Sequence, residues 1–237
     1  MNFNEVFNMS GYLKIFSVLL LFATMSCTAQ TEQSVVENPS ESLQSEPSTP
    51  SAADERKTIL FFGDSITAGY GIDEQEAFPA LIQRKIDTLG LPWRAVNAGL
   101  SGETSAGGLR RIDWILQQPV DIFILELGGN DGLRGVSPED TRRNLEEIIE
   151  RVRAKYPDAR IILAGMQIPP NLGPEYAEAF ADVYPSVARN KGVELIPFIL
   201  EGVGGIAELN LPDGIHPTAE GHKIVAATVW DRLSLDR

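Results

Sequence analysis

Along residues 57–237, short apolar runs alternate with longer stretches in which apolar positions recur every three or four residues. The short runs, at 58–62, 93–97, 122–127, 160–165 and 193–196, are rich in Ile, Leu, Val and Phe. They lack the alternation of a strand with one wet face, so they read as strands covered on both faces, as in a parallel sheet. The longer stretches, at 79–89, 105–117, 138–155, 175–190 and 219–233, carry helical periodicity. Pro79 and Pro138 stand where a first helical turn tolerates a missing N–H. Ser137 before Pro138-Glu139-Asp140 reads as a cap followed by acidic residues that suit the helix dipole. Single helices between strands imply right-handed crossovers. The pattern therefore predicts an α/β fold with five parallel strands and helices on both faces, and it contains no internal repeat.

The first 56 residues break this rhythm. An apolar run at 15–25 follows Lys14 and precedes Ser26-Cys27. It is too short to span a bilayer and has the length of a signal-peptide core. Glu5 is out of place in a basic leader, whereas Met9-Ser10-Gly11-Tyr12-Leu13-Lys14 makes a cleaner one, so Met9 is the expected true start. Cys27 is the single cysteine, so it cannot close an internal disulfide. One reading makes it incidental, beside a cut at neighbouring small residues. The reading favoured by its position makes it the lipidated first residue of a bacterial lipoprotein, although Thr24-Met25-Ser26-Cys27 matches a lipobox only loosely. Residues 28–56 are rich in Ser, Glu, Pro and Gln, with almost no aliphatic residues beyond Val35, Val36 and Leu43. Such a segment cannot bury enough apolar surface to offset chain ordering and is expected to be a flexible acidic tether. The expected organisation is a signal segment at 1–27, a tether at 28–56 and one folded domain at 57–237. The expected location is the periplasm, with the lipid in the outer membrane.

Charge and composition narrow the chemistry. A formal charge of −13 argues against nucleic acid, because phosphate neutralisation needs clustered Lys and Arg. Two histidines and one cysteine make no zinc-type cluster, and neither metal nor cofactor is expected. Nothing like Gly-x-Gly-x-x-Gly follows the first apolar run, which leaves dinucleotide redox chemistry without support.

Polar and glycine-rich blocks follow the strand runs: Gly63-Asp64-Ser65, then Asn97-Ala98-Gly99-Leu100-Ser101-Gly102-Glu103-Thr104, then Gly128-Gly129-Asn130-Asp131-Gly132. A fourth, Asp213-Gly214-Ile215-His216-Pro217, lies near the carboxyl end. In a parallel sheet the loops after the strands share one edge, where ligands bind. Ser65 there can be a nucleophile, or it can simply cap a helix. A nucleophilic hydroxyl needs a base, and imidazole is the usual one. His222 opens an amphipathic helix and is expected on its solvated face. His216 has Asp213 three residues before it, with Gly214 allowing a tight bend, so the carboxylate can hold one ring nitrogen while the other faces Ser65. An oxyanion would need donors in place beforehand. Gly102 offers an N–H without a side chain in the way, and Asn130 offers a side-chain amide. Asp64 and Asp131 are expected to bond loop amides.

These four blocks, in this order and spacing, resemble those of the SGNH (GDSL-type) hydrolases. The run Glu126-Leu127-Gly128-Gly129-Asn130-Asp131-Gly132-Leu133-Arg134-Gly135 is similar to the bacterial thioesterase I/lysophospholipase/arylesterase branch, and the resemblance covers about residues 58–235. It implies a flavodoxin-like three-layer α/β/α sandwich. It implies Ser65 as nucleophile, His216 as base and Asp213 as its partner. The Ser65 amide, the Gly102 amide and the Asn130 side chain would form the oxyanion hole. It further implies acyl esters or thioesters as substrates, small or lipid. Gly63-Asp64-Ser65-Ile66-Thr67 lacks the second glycine of a Gly-x-Ser-x-Gly elbow, which speaks against an ordinary α/β-hydrolase.

The rate is expected to climb with pH as the imidazole base loses its proton. Ile168 and Leu172, with Tyr176 and Phe180 on the next helix, can line an acyl groove or can be core. Two rivals stand beside an acyl-ester hydrolase: a carbohydrate O-acetyl esterase and a membrane-anchored binding module without catalysis.

Overall fold

The computed structural model describes residues 56–168 and 172–235. Cys27, the expected signal segment and all of the expected tether but Arg56 lie outside the described residues. The described chain runs β1 (Lys57–Gly63), α1 (Ser65–Ala68), α2 (Phe78–Leu89), β2 (Trp93–Gly99), α3 (Ser105–Ile115) and β3 (Ile122–Glu126). It continues through α4 (Gly129–Leu133), α5 (Pro138–Lys155), β4 (Arg160–Ala164), α6 (Pro174–Ala181), α7 (Val183–Lys191), β5 (Glu194–Ile196) and α8 (Ala219–Leu233).

The five strands lie in the order β2-β1-β3-β4-β5, and every pair is parallel. From β1 the chain moves one way, to β2. It then crosses back over β1 to β3 and continues in that direction to β4 and β5. Right-handed crossovers therefore put α2 on one face and α3, α5 and α7 on the other. α8 packs beside α2, while α5 packs against both α3 and α7. The three-layer α/β/α sandwich read from the sequence is the fold observed. Because the direction of travel reverses between β1 and β3, their carboxyl ends flank the crevice where open α/β sheets bind ligands.

Burial explains the strand pattern. Ile59, Leu60, Phe61 and Phe62 of β1, and Phe123, Ile124 and Leu125 of β3, are buried without alternation. α5 contributes Leu145, Ile148, Ile149 and Val152, one face of a helix at successive three- and four-residue steps. Each such side chain is worth about 1.5–3 kcal/mol when taken from water.

The helix expected at 175–190 is two helices. α6 ends and α7 begins at Asp182, which lies between Ala181 and Val183. Pro185 is the reason: in one continuous helix it could not donate to Ala181, and its ring would strike that carbonyl. Restarting the helix two residues before Pro185 puts the proline in a first turn, where it does no harm. At α5 the cap expected from Ser137 makes no side-chain bond; its carbonyl accepts from the Thr141 N–H at 3.0 Å instead.

His222 also differs from expectation. It is fully buried between α8 and α2, not on a solvated face. Its Nδ1 accepts the Phe78 N–H at 3.2 Å, and its ring stacks on Phe78 at 6.2 Å between centroids. α2 starts after Ala77, which has no side-chain oxygen to offer its orphan amides, so His222 caps α2 from a distant helix. This bond fixes the neutral ring with its proton on Nε2, which finds no acceptor. Burial, helped by His216, lowers the ring to about 4.

Unfolded, the ring takes its proton near the ordinary value of about 6.5, so this contribution is full above that pH and is lost as pH falls toward about 4. Asp64, raised to about 6 in the fold, pulls the other way over much of that range. A His222→Asn variant isolates the imidazole, since its amide oxygen can still accept from Phe78. In urea titrations from about pH 7 to about pH 4, the wild type is expected to lose about 3 kcal/mol more than the variant. Equal losses would refute the assignment.

Candidate active site

The site is built where β1 ends. A Cβ on Gly63 would lie 2.1 Å from Thr67 Oγ1 and 2.4 Å from Glu126 Oε2, so only glycine permits this approach. Asp64 caps α1, its Oδ1 accepting the Ile66 N–H at 3.0 Å. Of the two readings left open for Ser65, the cap is thus taken by its neighbour. Ser65 is the first residue of α1, and its hydroxyl is free of capping.

That hydroxyl lies 2.9 Å from His216 Nε2, and His216 Nδ1 lies 2.7 Å from Asp213 Oδ2. The carboxylate can only accept, so Nδ1 carries the proton and Nε2 accepts from Ser65. Asp213 Oδ1 accepts the N–H groups of Ile215 at 2.9 Å and His216 at 3.0 Å, with Gly214 at φ +70° making the bend. Desolvation raises the Asp213 carboxyl, but the His216 ring bond, the two backbone N–H bonds and the attraction of His216 outweigh it and hold it at about 2. The loop is pinned by an antiparallel bridge between Asn210 and Pro217 and by the Leu211 N–H on the His216 carbonyl at 2.7 Å. Tyr70, half exposed, holds its ring 4.5 Å from the His216 ring, tilted by 44° to it.

Asn130 donates through Nδ2 to Asp64 Oδ2 at 3.1 Å. Gly128 enters α4 at φ +113°, where a Cβ would sit 2.4 Å from the Tyr184 hydroxyl. Asp131 is buried and accepts both the N–H and the hydroxyl of Ser105, which ties α4 to the start of α3. Burial, opposed by the Ile66 N–H, the Asn130 amide and His216, raises Asp64 to about 6. Gly102, at φ +78°, sits in an exposed turn outside the cavity lining. Its carbonyl accepts from Arg134 just beyond α4 at 3.0 Å. The next residue, Glu103, is buried and ion-paired with Arg111, which also donates to the Ala98 carbonyl at 2.8 Å. The turn is thereby anchored to β2 and to α4.

Ser65, Asn130 and His216 face a cavity of about 430 Å³. Leu133, Met166, Ile168, Phe198, Leu200 and Ile215 supply its apolar wall. Of the four residues considered for a groove, Ile168 alone is in that wall. Leu172 is exposed, Tyr176 donates its hydroxyl to the Val136 carbonyl at 2.7 Å, and Phe180 is core, edge-on to Tyr184. Residues 197–217 carry no periodicity, so the sequence does not announce the long β5–α8 loop as a wall. Glu126 has a sequence signal, a charged residue closing an apolar strand, but its place against Asp64 depends on the fold.

A hydroxyl, an imidazole and a carboxylate in one hydrogen-bonded chain, at the carboxyl edge of a doubly wound parallel sheet, define a serine hydrolase. Comparison supplies the family. The model of the GDSL-like Lipase/Acylhydrolase family matches residues 61–224, and the chain belongs to that family. Esterase TesA of Pseudomonas aeruginosa is 43% identical over 178 residues, 75% of this chain and 88% of its own. Thioesterase 1/protease 1/lysophospholipase L1 of Escherichia coli K12 is 39% identical over 174 residues, 71% of this chain and 79% of its own. A crystal structure of TesA superposes with a TM-score of 0.71 at 42% identity, covering 75% of this chain and 98% of that one. The protein is a carboxylic ester hydrolase.

Proposed function

We propose that this esterase hydrolyses acyl esters and thioesters through an acyl-enzyme on Ser65. Ser65 Oγ attacks the carbonyl carbon while His216 Nε2 takes its proton. Asp213 holds the ring tautomer and steadies the imidazolium. The Ser65 amide and the free N–H of Asn130, both at the cavity, receive the oxyanion, and the family resemblance adds the Gly102 amide from the turn outside its lining. The tetrahedral adduct collapses, His216 returns the proton to the leaving alcohol or thiol, and water repeats the sequence to release the acid. The observation that carries this reading is the 2.9 Å Ser65–His216 contact opening on an apolar cavity of about 430 Å³, a size typical of small-molecule sites. Relatives named esterase, arylesterase and thioesterase 1/lysophospholipase L1 support the substrate class.

A series of p-nitrophenyl esters, acyl thioesters and a lysophospholipid tests it. Medium or long acyl chains are expected to have the higher kcat/KM, each added methylene contributing up to about 0.8 kcal/mol. A strict preference for acetyl would favour carbohydrate O-acetyl esters instead, and no turnover at all would favour the binding module.

Export with a lipid on Cys27 completes the proposal, supported by the apolar run at 15–25 and by the position of the single thiol. Cys27→Ser is expected to move the protein from the membrane to the soluble fraction on cell fractionation. An unchanged distribution would exclude the anchor.

A further inference from the structure

β3 is apolar except at its end, where Glu126 is fully buried. Its Oε2 accepts the Thr67 hydroxyl at 2.7 Å and the Asp64 N–H at 3.2 Å. Its Oε1 is buried as well and meets no hydrogen-bond donor. The Asp64 carboxyl beside it is also buried, and its two oxygens already accept from Ile66 and Asn130. Two carboxylates side by side in a dry interior cannot both carry charge. A buried oxygen without a donor is costly unless it carries a proton of its own and so becomes the donor.

We propose that Glu126 is a neutral positioning residue: protonated on Oε1, it donates to the Asp64 carboxylate and through Asp64 fixes the Asn130 amide beside Ser65. Burial first, and the Asp64 charge second, push the Glu126 carboxyl well above the ordinary range. The consequence for Asn130 is geometric. Asp64 as carboxylate only accepts, so the nitrogen end of Asn130 must face it, which settles the amide's orientation. One N–H is held by Asp64, and the other is left for the substrate oxyanion. A charged Glu126 would instead add negative potential beneath the place where negative charge develops. The inference rests on the proposed role of Asn130.

Glu126→Gln and Glu126→Leu in the whole enzyme test it. Gln keeps an acceptor for Thr67 and the Asp64 N–H and places an amide donor against Asp64. Its kcat is expected within about 3-fold of wild type. Leu removes both bonds, and kcat is expected to fall about 10- to 100-fold with KM within about 2-fold, a part of the cost of losing one oxyanion donor. Infrared difference spectra at neutral pH should contain the C=O stretch of a protonated carboxylic acid in the wild type and lose it in Glu126→Gln. Absence of that band, a Gln variant as slow as Leu, or a folded Leu variant with wild-type kcat would each overturn the proposal. If Leu does not fold, the Gln variant and the infrared band still decide. Asn130→Ala separates the two levels: full activity there would refute Asn130 as a donor, while the band would still report on the Glu126 proton.

Discussion

Ser65→Ala is expected to lower kcat/KM for p-nitrophenyl esters by about 10^4- to 10^6-fold. Labelling by a fluorophosphonate should disappear with it. The substitution deletes the one oxygen that His216 can activate, and nothing else in the site can replace it. Asp64, Asn130 and Asp213 offer carboxylate or amide groups already engaged in other bonds. The fold should be untouched. α1 is capped by Asp64, and the Ser65 carbonyl still accepts the N–H groups of Gly69 at 3.1 Å and Tyr70 at 3.0 Å. A melting temperature close to wild type then separates lost chemistry from lost structure. Retained labelling would mean that another nucleophile carries the reaction.

How far the sequence reveals such a site depends on the range of each interaction. The strands were legible to within two residues, because a run buried on both faces carries its own signal, independent of partners. The loops after β1, β2 and β3 share one edge because the sheet is parallel; those after β1 and β3 line the cavity, while the loop after β2 lies outside its lining, tied in through the Gly102 carbonyl and Arg134. Other features depend on partners far along the chain. His222 reads as the start of an amphipathic helix, yet its place is decided by an amide 144 residues away. Helical periodicity runs smoothly through Asp182, and the break came from a proline placed where one helix cannot hold it. The β5–α8 loop supplies Phe198, Leu200 and Ile215 to the cavity, and residues 197–217 have no pattern to announce that. Phe180 was ambiguous for a related reason. Gly132 brings α4 so close that a Cβ there would sit 2.9 Å from the Phe180 ring, which seals that ring into the core.

Asp64 links the legible and the hidden parts. Its motif places it beside Ser65, but its work is visible only in three dimensions: one oxygen caps α1 and the other orients Asn130. The strand-to-helix turn and the amide donor are thus set by one side chain. That side chain is backed by Glu126 from the neighbouring strand, whose register puts it opposite Gly63.

Asp213→Asn is expected to cost about 10^3- to 10^4-fold in kcat with little change in KM or melting temperature. The reason lies in the two oxygens of Asp213. Oδ1 receives the N–H groups of Ile215 and His216, while Oδ2 faces the imidazole at 2.7 Å. In the variant the amide oxygen must stay with the two backbone donors, because an amide nitrogen there would oppose N–H to N–H. The nitrogen is then forced against His216 Nδ1, to which it donates. That drives the ring proton to Nε2, the atom that should accept from Ser65, and the base is lost while every loop contact survives. Asp213→Ala makes the contrast. It leaves Nδ1 free to keep or lose its proton, so its kcat should exceed that of the asparagine variant despite the larger deletion, provided the loop holds. An alanine variant slower than the asparagine one would show that Asp213 acts by holding the loop and not by choosing the tautomer.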